Sequence, residues 1–167
     1  MPTIRRKTYG KLALSFEGLS QLSRKLARDG EVWERVQRAA VRGMTENTED
    51  LLGRAMRDAP VDEGTLRASG AATVYANGKA VARQGFREVA GRPELPQMVG
   101  RTLIEGGLGD AVVGEVGFHT PYALAQHERL DFDHPKGGKA KYLEDNLREH
   151  AGRYQDNLSD RVRKAIA

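Results

Sequence analysis

The strongest constraint in this chain lies at its end. Leu143, Leu147, Ala151, Tyr154, Leu158, Val162 and Ala165 follow one another at steps of four, four, three, four, four and three. That period fits only an α-helix with one apolar stripe. The spacing predicts a C-terminal helix over 139–167, with charged residues on its other faces and a single local weakness at Gly152. Such a stripe must be covered by another element, so the rest of the chain has to supply a surface for it.

A second long helix is expected over 31–57. Val32, Trp33, Val36, Ala40, Met44, Leu51, Leu52, Ala55 and Met56 share one side, and Trp33 is expected in the core. Glu34, Arg35, Arg38, Arg42, Glu46, Glu49 and Arg54 lie opposite, several of them four apart with opposite sign, a spacing that supports a helix. Gly43 and Gly53 each cost this helix about 1 kcal/mol against alanine, and mark either a close crossing or a tolerated defect. Pro60 disfavours helical geometry at Ala59 and ends it.

The remaining segments read as strands. Leu12, Leu14 and Phe16 alternate with Lys11, Ala13 and Ser15. A short helix carrying Leu19, Leu22 and Leu26 follows, closed by Asp29-Gly30. Residues 71–86 read as a hairpin around Asn77-Gly78. Residues 110–119 alternate around Val112, Gly114, Val116 and Phe118, with glycines that suggest a bulge or a close backbone approach. The fold class expected is α+β: a small antiparallel sheet packed against a long central helix and a long C-terminal helix.

Two segments stand apart. Residues 1–10 carry Arg5-Arg6-Lys7 without an apolar period and read as a basic N-terminal arm. Residues 87–108 hold two prolines and several glycines, yet include Val89, Leu95, Met98, Val99, Leu103 and Ile104. They read as an extended excursion from a single domain over 11–167. Either a neighbouring subunit covers those apolar groups or the segment is a surface loop.

Composition excludes several classes. The 167 residues include no cysteine, which removes disulfides and thiolate metal sites. No apolar run approaches membrane-spanning length and no signal-peptide pattern opens the chain, so a soluble cytoplasmic protein is expected. The net charge of +4 permits contact with acidic partners, but acidic and basic residues are interleaved, which argues against a dedicated DNA reader.

Residues 120–147 are the best place to look for chemistry. A metal site there would draw on His119, His127, His134, Glu128, Asp131 and Asp133. The helical zinc-protease spacing fails, because Asp131 stands where the second histidine is needed. Lys136-Gly137-Gly138-Lys139 lacks both the earlier glycine and the hydroxyl of a phosphate loop, since Ala140 follows. Adjacent Asp62 and Glu63 diverge in direction and make a poor catalytic pair. Nothing assembles an acid, a base and an orienting group, so neither an enzyme nor a cofactor is expected. A metal-dependent hydrolase on His127 and Asp131 ranks last among the readings. The residues suit a structural corner instead. Pro121 opens a turn, Tyr122, Ala123 and Leu124 pack inward, and Pro135 with Gly137-Gly138 reverses the chain to lay the last helix across the sheet.

Three stretches together carry a family likeness. They are Ala59-Pro60-Val61-Asp62-Glu63-Gly64-Thr65-Leu66-Arg67-Ala68-Ser69, then Tyr122-Ala123 with His127-Glu128, then Gly138-Lys139-Ala140-Lys141-Tyr142-Leu143-Glu144. In order and spacing the chain resembles the head–tail joining, or tail-completion, proteins of long-tailed bacteriophages. The resemblance implies a structural virion protein of the neck, assembled in the host cytoplasm, without cofactor, enzymatic activity or membrane contact. It implies a homo-oligomeric ring, a hexamer rather than a dodecamer. Its neighbours would be a head-closure or connector protein and a tail-terminator or tail-tube protein, with nonspecific contact to genomic DNA in the lumen. Pro60, Asp62, Gly64, Leu66, Tyr122, His127, Glu128, Gly138, Tyr142 and Leu143 would then be structural. Arg5, Arg6, Lys7, Leu95, Met98, Val99, Leu103, Ile104 and Phe132 are the residues expected at subunit or partner interfaces. The alternative is a sequence-nonspecific nucleic-acid-binding module using the basic arm.

Overall fold

Helix α1 (Gly30–Asp58) is the element against which everything else is placed. A computed structural model describes residues 3–7, 11–15, 30–61, 64–77, 79–85, 99–106 and 112–167, with backbone alone for 3–7, 11–15 and 99–106. Val36, Ala40, Met44, Leu51, Leu52 and Ala55 bury the expected stripe of α1, and Trp33 packs against the core from its edge. One side of the helix lies on strands β3 (Gly70–Ala76) and β6 (Val112–Phe118). The other side takes the C-terminal helix α4 (Glu144–Ile166), which buries Leu147, Ala151, Tyr154, Leu158 and Val162. Each large side chain so buried contributes about 1.5–3 kcal/mol before the entropy of ordering is counted.

The fold is α+β. Strand β1 (Thr3–Lys7), β2 (Lys11–Ser15), β4 (Lys79–Gln84) and β5 (Val99–Gly106) join β3 and β6 in one sheet of order β1-β2-β5-β6-β3-β4. Every pairing is antiparallel except that of β2 with β5. The hairpin β3–β4 turns at Asn77, which takes the left-handed conformation that asparagine tolerates (φ 50). On β6, Gly114 lies so near α1 that a Cβ there would sit 2.5 Å from Thr48 Cγ2, so the glycine marks a close approach. Gly43 similarly faces Leu158 and Arg161 across the α1–α4 crossing, whereas Gly53 meets only the end of Arg57.

Several expectations need correction. The free arm does not hold over Thr3–Lys7, which pairs with β2 and carries Arg5, Arg6 and Lys7 on an edge strand. An edge strand is held by backbone bonds on one side and needs no strong apolar alternation, which is why its sequence reads as an arm. The excursion is likewise part sheet, because Val99, Leu103 and Ile104 belong to β5, between β2 and β6. Glycine, arginine and glutamate interrupt both faces of that strand, so no period shows. Leu95 and Met98, the expected helix with Leu19, Leu22 and Leu26, Phe16 and Asp62 lie outside the described residues. The last helix starts at Glu144 rather than near Lys139, because Gly137, Gly138 and Lys141 all have positive φ. It runs along α1, not across the sheet.

Candidate functional site

Three sequence stretches that lie far apart in the chain meet at the C-terminal end of α1. A helix end leaves its last carbonyls without partners. Here Arg67, on the short helix α2 (Thr65–Ala68), supplies two of the missing donors: its Nη2 donates to Arg57 O at 2.7 Å and its Nε to Ala59 O at 3.0 Å. The Lys139 N–H donates to Asp58 O at 2.9 Å, and the Val61 N–H to Gly137 O at 3.0 Å. Gly138 makes this closure sterically feasible. Its φ is +95, and a Cβ would stand 2.4 Å from Pro60 Cα and 2.6 Å from Ala59 O. Only glycine fits both the angle and the space.

The second stretch reaches the same corner through α3 (Ala123–Glu128). Tyr142 is buried and donates its hydroxyl hydrogen to Ala123 O at 3.1 Å. Its ring meets Phe118 and His127 edge-on, each with centroids 5.0 Å apart. His127 accepts the Glu144 N–H at Nε2 (3.3 Å) and contacts Glu128 Oε1 through Nδ1 (2.9 Å). Lys141 bridges Glu128 and Glu144, and Arg148 holds the other Glu144 oxygen at 2.6 Å, so the buried Glu144 carboxylate is matched. Burial pushes the His127 imidazole below its ordinary value, and Lys141 adds to this; Glu128 pulls the other way without reversing it. Burial works against ionisation of Glu128, but hydrogen bonds from Lys141 and His127 outweigh it and hold the carboxyl low.

Pro60, Gly64, Leu66, Tyr122, His127, Glu128, Gly138, Tyr142 and Leu143 therefore come together in one region. A cavity of about 520 Å3 opens beside them, lined by Pro60, Leu66, Tyr122, Gln126, His134 and Pro135 among others. Its lining is mixed, and among the described residues no constellation for acid–base or nucleophilic work forms there. No group of three or more His, Asp or Glu side chains gathers at metal-binding distance among the described residues. His127 and Asp131 have separate partners: Asp131 takes two hydrogen bonds from Arg129, at 3.1 and 2.6 Å.

One placement differs from expectation. Of Tyr122, Ala123 and Leu124, only Ala123 packs inward; Tyr122 and Leu124 are 44% and 45% exposed. α3 is too short to hide more than one side. Phe132 is half-buried, with the Arg129 guanidinium 4.3 Å above its ring, so its own chain covers part of it and leaves part open. Sequence reasoning missed Arg67 and Asn146. Asn146 donates to Asp58 Oδ2 at 2.8 Å and to Tyr142 O at 2.7 Å, tying α4 to the end of α1. A basic residue shortly after a helix end was the available signal for Arg67; Asn146 carried none.

No protein-family model, curated protein or solved structure matches this chain.

Proposed function

We propose that this chain is a structural subunit of a bacteriophage neck, joining the DNA-filled head to the tail as one member of a ring. The observation that supports this reading is the convergence of the three family-like stretches on one corner. Their described residues close α1 and start α4. Residues resembling a family motif would be expected to cluster this way if the motif encodes a scaffold. In this reading the subunit works without cofactor or catalysis, in the virion, between a head-closure or connector protein and a tail-terminator or tail-tube protein. A hexameric ring would place the same surface of each subunit against the next. Arg5, Arg6 and Lys7 on the edge strand would meet phosphates of the genome in the lumen without reading its bases.

The test is assembly without the protein. Filled heads and separate, finished tails are expected, and adding the purified chain should restore joined particles. Normal joined particles in its absence would overturn the reading. A sequence-nonspecific DNA-binding module would instead show salt-dependent affinity that Arg5→Ala, Arg6→Ala and Lys7→Ala together abolish, with no assembly defect.

A further inference from the structure

The His127 side chain bonds the first backbone N–H of α4. The ring is nearly enclosed, with its side chain 14% exposed. Nε2 accepts the Glu144 N–H at 3.3 Å, so that nitrogen must carry a lone pair. Nδ1 lies 2.9 Å from Glu128 Oε1, which only accepts, so the proton of the neutral ring sits on Nδ1. The Lys141 N–H donates to the His127 carbonyl at 2.8 Å, and the Tyr142 ring packs on the imidazole at 84°. One residue thus joins α3 to the start of α4 through both its backbone and its ring.

We propose that His127 is a proton-sensitive latch between α3 and the N-terminus of α4, closed while the ring is neutral and opened when Nε2 takes up a proton. A proton on Nε2 sets a donor against the Glu144 N–H, at a helix end that already carries partial positive charge. The Nδ1–H contact with Glu128 survives protonation, so the ring stays with α3 and lets go of α4. The charged groups facing the ring are Glu128 from α3, Lys141 from the turn and Glu144 from α4. Lys141 (3.1 Å) and Arg148 (2.6 Å) hold the two oxygens of the Glu144 carboxylate. Opening is local. The α1–α4 contact does not involve His127, whereas Gln126 on α3 and the adjoining Tyr122 line the cavity at the corner. Acidification should therefore reshape that cavity and leave the core standing.

The sign follows from the burial. The folded value lies below the ordinary 6.5, so the latch is closed above 6.5 and opens as pH falls through the folded value. The experiment is NMR on the full chain with 15N-labelled histidine, combined with amide hydrogen exchange corrected for intrinsic rates. The Nδ1–H tautomer is expected for His127 at pH 7.5. Glu144 amide protection should fall about tenfold or more along the His127 titration, while that of Leu158 stays level. His127→Gln places a non-titrating acceptor at the Nε2 position and should hold Glu144 protection flat over the same range. An Nε2–H tautomer at pH 7.5 overturns the latch, and so does a fall in Glu144 protection that persists in His127→Gln. The tautomer reading uses the wild-type chain and stands even if the variant does not fold.

Discussion

The α1–α4 seam and the corner at its end hold the same two helices by different means. Along the seam, contact is repeated: Met44, Leu51, Leu147 and Leu158 recur at helical spacing, and each contributes area to a shared apolar layer. At the corner nothing repeats. Carbonyls of α1 are closed one by one by Arg67 and Lys139, Gly138 lies against Pro60, and a histidine bonds the first N–H of α4. The seam spreads its stability, so losing one side chain leaves the rest in register. The corner concentrates it, and one added methyl group displaces backbone on both sides.

That contrast predicts the largest effect at a residue with no side chain. Gly138→Ala combines left-handed strain with overpacking against Pro60, for about 2–6 kcal/mol of destabilisation by urea unfolding. Gly137→Ala shares the φ of +95 but meets none of the described residues within 4 Å, and should cost about 1–3 kcal/mol. Equal losses at the two positions would mean that close approach is not what distinguishes the corner. In the seam, Leu147→Ala should cost about 2–5 kcal/mol through its cavity. It should do so without disturbing the Arg67 and Lys139 bonds, as judged by exchange at the Lys139 amide.

A smaller effect tests the polar part of the seam. Asn47 is buried among apolar residues, donates to Tyr154 O at 2.9 Å and accepts from Asn157 at 2.9 Å. Asn47→Ala removes both hydrogen bonds, although Asn157 keeps Glu46 as an acceptor at 3.3 Å, and should cost about 1–3 kcal/mol. Tyr154→Phe removes the 2.9 Å hydrogen bond to Asp50 and should cost about 1.5–3 kcal/mol at neutral pH, because the acceptor is charged. Burial opposes ionisation of Asp50, but Arg54, Tyr154 and Arg153 outweigh it and hold the carboxyl below its ordinary 3.8. The stability it contributes is therefore present above 3.8 and lost as pH falls through the lower folded value. The Tyr154→Phe deficit should shrink over that acidic range in unfolding curves.

The same contrast explains what was legible in advance. Both long helices show in the sequence because every turn repeats the same requirement, an apolar group on one side, and the α+β class follows from them and from the alternating segment around Val116. Pro60 and Gly138 stand out as residue types, but their purpose does not. Only the folded chain puts Gly138 against Pro60, and no local pattern encodes a contact between distant residues. Asn146 is an ordinary helix residue until Asp58 is beside it. Strands β1 and β5 were hidden for another reason. Backbone pairing holds them, and Arg5, Arg6, Arg101 and Glu105 show no alternation for a sequence reading to use.

The smallest expected effect has the opposite sign and isolates propensity from packing. Gly152 lies inside α4 on an exposed face, and a Cβ built there meets nothing within 4 Å. Its helical neighbours Ala151 and Tyr154 are buried on the stripe, so the backbone is already held in place without it. Alanine at this position removes the conformational freedom that glycine brings to the unfolded chain and adds no contact. Gly152→Ala should raise stability by about 0.5–1 kcal/mol in urea unfolding, with the slope unchanged. A loss instead would mean that another segment or a partner approaches α4 at that bare position, since the described residues leave the space open. Repeating the measurement across a range of protein concentrations separates the two cases. A propensity effect is independent of concentration, whereas a blocked contact between copies grows with it.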